Sequence, residues 1–394
     1  MNRDLALAPS LFYLASASVP SDAANSIHVV HMGAALSNIG FDVVIVSPRD
    51  KFYYRISALE VAHDYGVNEE LRFSSAWLPT FRGGGWLCKN HFKMKLVRGR
   101  PDYVYGRNLA GCLEAARLGL PTTLEVHLPR WKFSQQKRNA FEALIKCSSF
   151  QAVVVISEAL SKELLSTYPE LAGRVIVAHD AAPYFECPSP VPLERSQPMN
   201  VLYAGSLYAG KGMELLLEIA PACPWAMFRI LGGTDEDISK WMALIPGGVK
   251  NIRFLGRKPH SLVREQMIQA DVLVAPYQSR VSVHGGGGNV AQWMSPLKIF
   301  EYMEANRPII ASNLPVLGEI LTHRRNALMA SPDDVDEWVA ALQELRCEPN
   351  LARSIARCAR EDFESKYSWR SRAIHIMESL GWKGNAFESI SVED

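Results

Sequence analysis

Short apolar runs alternate with stretches of helical spacing along nearly the whole chain, and that alternation restricts the fold to parallel sheets built from βαβ units. In the first half, residues 11–15, 43–46, 103–105, 122–126, 152–156 and 175–177 read as strands. Between the first two, Ile27, Val30, His31, Ala34 and Ala35 recur at helical spacing, and Gly40 suits a left-handed helix end. The pattern stops at Cys187-Pro188-Ser189-Pro190-Val191-Pro192, a proline-rich, extended stretch. It restarts at 200–204 and continues through 226–231, 252–255, 272–275 and 309–311. The expected fold class is α/β, with two doubly wound Rossmann-like domains in tandem. Their expected limits are 1–184 and 199–369, joined by a linker at 185–198.

Size and composition agree with that plan. A chain of 394 residues exceeds one ordinary core and suits two domains. Its 48% hydrophobic and 21% charged content is that of a water-soluble globular protein. A formal net charge of +1 offers a nucleic acid no electrostatic purchase, so no nucleic-acid partner is expected. Seven cysteines without a C-x-x-C pair suit reduced thiols and a cytoplasmic location rather than a zinc site. Residues 1–17 are interrupted by Arg3, Asp4 and Pro9 and lack the basic and apolar blocks of a signal peptide. No run of 18 apolar residues is present, so no membrane-spanning helix is expected.

Ser295-Pro296-Leu297-Lys298-Ile299-Phe300-Glu301 reads as a helix start suited to an anion. Ser295 is a good N-cap, and Pro296 fits the first helical position, where its missing N–H costs nothing. The amides of Leu297 and Lys298 then point out of the helix end, where the macrodipole favours a pyrophosphate. Lys298 adds a full charge there, and Glu301, one turn deeper, can reach a ribose hydroxyl. A second such element is the strand–turn–helix at 201–213, with glycines at 205, 210 and 212 and Lys211 at the mouth of the helix. Because Gly212 follows the lysine, the P-loop spacing fails. Gly232-Gly233 and Gly256-Arg257-Lys258-Pro259 follow later strands, as walls of one ligand crevice or as ordinary solvated turns.

In the first half, Leu124-Glu125-Val126-His127 closes a strand and puts His127 in a loop, where the histidine is either structural or functional. Ser21-Asp22-Ala23-Ala24-Asn25-Ser26 has no glycine, which argues against a Rossmann dehydrogenase; Asn25 is a helix cap or a site residue. Between 71 and 101 there is no acid, and Arg82, Lys89, Lys93, Lys95, Arg98 and Arg100 interleave with Trp77, Phe81, Trp86 and Phe92. That stretch is either a docking surface for an anionic membrane or lipid-linked acceptor, or a solvated basic helix with buried aromatics. The histidines are scattered and no H-E-x-x-H occurs, so no metal site is expected.

On these motifs, across almost its whole length, the chain resembles the family-4 retaining glycosyltransferases of GT-B architecture. The resemblance rests on the 295–312 segment, on Asn313-Leu314-Pro315-Val316-Leu317-Gly318-Glu319, on the Lys211 turn and on His127. It implies two Rossmann-like domains facing a crevice, with a C-terminal helix at about 370–384 crossing back to the first. It implies transfer of a sugar from a nucleotide-diphosphate donor with retained configuration, without a metal or other cofactor. Lys211, Lys298, Ser295, Leu297, Gly205, Gly233, Arg257 and Glu301 fall at its donor site, with His127, Lys211 and Glu301 in the catalytic roles. The implied acceptor is a glycan or lipid-linked molecule, with peripheral membrane contact through 71–101. Two family features differ: Trp293 stands where the first of two paired glutamates falls, and Ser206 where an arginine is common. The loop at 284–289 either closes over the donor sugar, with His284 or Asn289 replacing the missing glutamate, or is merely a mobile connector. Two rival readings are a GT-B protein that binds a nucleotide sugar without transferring it and a sugar-nucleotide epimerase.

Overall fold

The computed structural model describes residues 8–21, 24–49, 61, 65–67, 71–77, 84–129, 132, 134–189, 198–282 and 289–383. The chain forms two compact units. One comprises Met1–Ile156, Leu160–Ala178 and Trp369–Asp394; the other comprises Ser157–Ala159 and His179–Ser368.

The first unit holds a seven-stranded parallel sheet. Its strands are β1 (Ser10–Leu14), β2 (Asp42–Arg49), β3 (Arg72–Trp77), β4 (Tyr103–Gly106), β5 (Thr122–Val126), β6 (Phe150–Val155) and β7 (Val175–Val177). They lie in the order β3-β2-β1-β4-β5-β6-β7, so the winding reverses between β1 and β4. Every residue of β5 is buried, as expected of a parallel strand covered on both faces. The C-terminal helix Trp369–Ser379 belongs to this unit. Its Trp369 meets His28 edge-on and stacks on His31, both from the helix Ala24–Asn38.

The second unit holds a six-stranded parallel sheet of β8 (Met199–Ala204), β9 (Ala226–Leu231), β10 (Ile252–Gly256), β11 (Val272–Ala275), β12 (Ile309–Ser312) and β13 (Leu328–Ala330). The order is β10-β9-β8-β11-β12-β13, with the reversal between β8 and β11. Alternation along β8 serves two cores: Leu202 and Ala204 face one cluster with Leu273, Phe300 and Ile309, while Val201 and Tyr203 face another with Val272, Val274 and Trp338.

Two strands escape the sequence pattern. β3 is an edge strand of sequence RFSSAW, with no apolar run longer than two residues, and β13 is a three-residue edge strand. The division between units falls at Ala178–His179, ahead of the linker expected at 185–198. Hydrogen bonds explain the shift: the backbone carbonyls of Phe185, Pro188 and Ser189 accept from Arg360, Asn306 and Arg307 of the second unit, which ties this proline-rich stretch down. Residues 190–197 lie outside the described residues. Among the described residues no helix is long and apolar enough to cross a membrane.

Candidate functional site

In a doubly wound sheet, ligands bind beyond the carboxyl ends of the strands where the winding reverses. In the second unit that point lies between β8 and β11. β8 ends under the Tyr302 hydroxyl, which accepts from the Ala204 amide at 2.8 Å. The Tyr203 hydroxyl donates to the Ser206 carbonyl at 2.6 Å and so fastens the start of the following turn. Further along, the Gln278 amide donates to the Gly210 carbonyl at 3.0 Å, joining the loop after β8 to the loop after β11. Only glycine permits this approach. A Cβ on Gly210 would stand 1.8 Å from the Arg280 carbonyl oxygen, and one on Gly212 would stand 2.0 Å from that of Pro276. Both residues also have positive φ, 80° and 98°. Lys211 is held between them.

Lys298 reaches the same place from the helix Leu297–Glu304. Its ammonium is buried without a hydrogen-bond partner, 3.8 Å from the centre of the Tyr203 ring and 5.0 Å from that of Tyr277. Lys211 Nζ also lies 5.0 Å from the Tyr277 ring centre. Burial, reinforced by the charge of Lys211, depresses the Lys298 pKa well below the usual lysine range, against the opposing pull of Glu301. Burial also lowers Lys211 to about 8. The ring faces attract the ammonium groups, but desolvation wins. Two lysines therefore share a desolvated corner in which Glu301 offsets part of their charge and a bound anion would supply more. Gly205 allows this packing, since a Cβ there would stand 3.0 Å from Lys298 Nζ.

The start of this helix differs from the sequence reading. Pro296 is the N-cap, in extended conformation, and Leu297 is the first helical residue. Ser295 does not cap it, because its hydroxyl accepts instead from the Asp180 amide at 2.8 Å. The cap makes no side-chain hydrogen bond, which leaves the amides of Leu297 and Lys298 available at the helix end. Glu301 follows one turn later and is half-buried. Gly233, with φ 80°, closes against Leu207 at the end of β9, and Arg257 is exposed after β10. Trp293 sits in the turn before Ser295, off the helix. Asn289 is occupied as a loop staple, accepting from the amides of Val281 and Ala291 and donating to the Ser279 carbonyl. That leaves it badly placed to substitute for a glutamate. His284 lies outside the described residues.

In the first unit the histidines are not scattered, as the sequence suggested. His28 and His127 converge on Glu125, whose side chain is fully buried at the end of β5. Glu125 Oε1 lies 2.5 Å from His127 Nε2, 2.8 Å from His28 Nε2 and 3.1 Å from Arg372 Nη2 of the C-terminal helix. The Tyr105 hydroxyl donates to Oε2. Burial alone would raise this carboxyl, but Arg372, His28 and His127 together hold it well below the usual carboxylate range. Two histidines and a carboxylate are a donor set that suits a cation, but here the carboxylate already faces the Arg372 guanidinium. The arrangement is therefore an ion-pair hub. Sequence reasoning singled out His127 and missed Glu125, His28, Tyr105 and Arg372; the available signal was an acid between Leu124 and Val126 in a strand expected to be covered on both faces.

In the stretch at 71–101, one described aromatic is buried and the charged residues are largely exposed. Phe92 and Leu96 are buried, while Lys93, Arg98 and Arg100 are exposed together with Met94 and Val97. The side chains of Trp77, Phe81, Arg82, Trp86 and Lys89 lie outside the described residues.

Comparison with known proteins agrees with this architecture. The model "Glycosyltransferase Family 4" matches residues 26–181, and "Glycosyl transferases group 1" matches residues 198–347. The glycogen synthase of Mycobacterium tuberculosis is 23% identical over 382 residues, covering 88% of each chain. Among solved structures, Anabaena HepE in complex with UDP superposes with a TM-score of 0.67 at 14% identity, covering 94% of this chain and 99% of that one. Sucrose-phosphate synthase from Thermosynechococcus elongatus does so with a TM-score of 0.68 at 18% identity, covering 94% and 98%. With one family model on each unit and GT-B enzymes as structural neighbours, the chain belongs to the family-4 glycosyltransferases of GT-B architecture.

Proposed function

We propose that this glycosyltransferase moves a hexosyl group from a nucleoside-diphosphate sugar to a hydroxyl acceptor with retention, using lysines rather than a metal ion to hold the diphosphate. The observation that carries this reading is the paired Lys298 and Lys211 on the Tyr277 ring, both desolvated, with the Lys298 ammonium lacking a hydrogen-bond partner. As the bond between the sugar's anomeric carbon and the phosphate oxygen breaks, negative charge grows on the departing diphosphate. Lys211, Lys298 and the amides of Leu297 and Lys298 stabilise that charge. The acceptor hydroxyl attacks the same face, and its proton passes to the departing phosphate oxygen. Glu301 binds the ribose, and His127 orients the transferred sugar. A structural neighbour, HepE, is described with UDP and with UDP-glucose, so the uridine series is the first to test.

The test is incubation with UDP-, ADP- and GDP-glucose and a panel of glycan and lipid-linked acceptors, with the product anomer read by proton NMR. Retained configuration in the presence of EDTA supports the proposal. Inversion overturns it, as does activity lost to the chelator and restored by a divalent ion. Trp293, in place of a family glutamate, favours a second reading in which the chain binds the donor without transferring it. Slow donor hydrolysis by the purified protein decides against that reading. Peripheral membrane contact is part of the proposal: exposed Lys93, Arg98, Arg100, Met94 and Val97 combine charge with apolar reach. Salt-sensitive sedimentation with phosphatidylglycerol vesicles tests it.

A further inference from the structure

The C-terminal helix Trp369–Ser379 places a charged side chain against the carboxylate that holds His127. Arg372 is almost wholly buried, donating to Glu125 Oε1 at 3.1 Å and to the Ala178 carbonyl at 3.2 Å. Trp369, one turn earlier, lies 4.9 Å from the His28 ring and 5.9 Å from the Arg372 guanidinium. His28 in turn meets the His127 ring edge-on at 4.9 Å. The ring of His127 is therefore held at its Nε2 edge by the carboxylate and across its face by His28. A carboxylate accepts hydrogen bonds and cannot donate them, so its contact with Nε2 requires the proton on that nitrogen and leaves base character to Nδ1.

We propose that Glu125, paired with Arg372, is a positioning residue that locks His127 in the Nε2-protonated tautomer and in one ring orientation, making the C-terminal helix part of the transfer machinery. This rests on the role given to His127 above. The geometry goes beyond a device for docking a helix. A docking ion pair needs one cation, whereas Glu125 Oε1 is shared by Arg372 and two histidines while Oε2 takes Tyr105. Four side chains from four different elements fix one carboxylate. Rigid placement of this kind is what a reacting group needs, because a misplacement of about 1 Å can cost roughly 10²-fold in rate.

The test uses the full chain and four variants: Glu125→Gln, Arg372→Gln, Arg372→Lys and the double Glu125→Gln/Arg372→Gln. The first readout is the ¹⁵N spectrum of the His127 ring, independent of any substrate. The wild type is expected to show the Nε2-protonated tautomer; Glu125→Gln and the double variant should show a mixture, and Arg372→Lys should keep the lock. The second readout is turnover. Glu125→Gln should lose about 10²-fold in kcat, with KM for the donor and affinity for UDP within about twofold of wild type. The double variant removes both buried charges, so its melting temperature should recover relative to either single glutamine variant while its kcat does not. Recovery of kcat together with stability would reduce the network to a helix-docking role and overturn the proposal. An unchanged His127 tautomer in folded Glu125→Gln would overturn it too. Failure of the wild type to transfer any sugar counts against the proposed function and leaves the tautomer measurement standing as a separate result.

Discussion

Lys211 and Lys298 stand at the same distance, 5.0 Å, from the centre of the Tyr277 ring, although one belongs to a glycine turn and the other to the first turn of a helix. Like charges gathered in a desolvated place are unfavourable in the free protein: burial depresses the pKa of both lysines, and the charge of Lys211 depresses that of Lys298 further. An anion bound between the two lysines would relieve that repulsion.

Lys298→Met should therefore separate stability from function. It removes a buried ammonium that lacks a hydrogen-bond partner and keeps most of the aliphatic volume. The free protein should gain about 1 kcal/mol, the desolvation relief exceeding the lost ring contact. Affinity for UDP should fall by roughly 10²-fold, at least the 1.5–3 kcal/mol of about one charged hydrogen bond. Thermal melts with and without nucleotide, together with calorimetric titration, check both signs. A variant less stable than wild type that still binds UDP normally contradicts the site.

The pH dependence of nucleotide binding follows from the same pair. A bound diphosphate raises the lysine pKa values, so binding takes up protons wherever a lysine is neutral in the free protein. For Lys211 this begins above about 8. Affinity should be insensitive to Lys211 between pH 7 and 8 and fall above that, by up to about tenfold per pH unit for each proton taken up. Folding stability moves the other way. The folded state binds fewer protons than the unfolded one between about 8 and the ordinary lysine value, so the Lys211 contribution to stability rises with pH through that window. Titrations in buffers of different ionisation enthalpy count the protons directly. Release of protons on binding at pH 9 would reverse the sign and defeat the argument.

Gly212→Ala should be far more damaging than Gly248→Ala, although both positions have φ near +95°, at 98° and 92°. The left-handed backbone costs either variant about 1–2 kcal/mol. At 212 the new Cβ also meets the Pro276 carbonyl oxygen at 2.0 Å, whereas at 248 nothing lies within 4 Å. Denaturant melts should show at least about 2 kcal/mol between them. UDP binding should be weakened only in Gly212→Ala, whose clash pushes the Lys211 turn away from Tyr277. Equal stabilities of the two variants would refute the close packing of these loops.

Glu301→Gln should weaken binding of UDP by about 1–3 kcal/mol, the range for a charged hydrogen bond. The same substitution should leave binding of 2′,3′-dideoxy-UDP unchanged, since that ligand lacks the hydroxyls. Equal losses for both nucleotides would place Glu301 against the phosphates instead of the ribose.

Much of this molecule follows from local chemistry. The strands of both sheets, the helix after β1 with its left-handed Gly40, the glycine turn around Lys211 and the helix start at Lys298 all depend on spacing and residue type within a few turns of chain. Such features are legible in sequence because propensity, turn geometry and amphipathic period act over short range. Edge strands with broken apolar runs such as β3 are not, since pairing to β2 stabilises them more than their own residues do. Nor could Ser295 be read correctly, because the Asp180 amide that takes its hydroxyl is remote in the chain. The electrostatic character of the site belongs to the tertiary structure alone. Lys298 is an ordinary lysine in sequence; burial beside Tyr203 and Tyr277, with the charge of Lys211 added, makes it a weakly basic group. Glu125 likewise becomes a hub only when Tyr105, His28, His127 and Arg372 arrive from separate elements. Burial and charge pairing are set by everything within a few ångströms in space, and packing of distant segments, not spacing along the chain, decides what lies there.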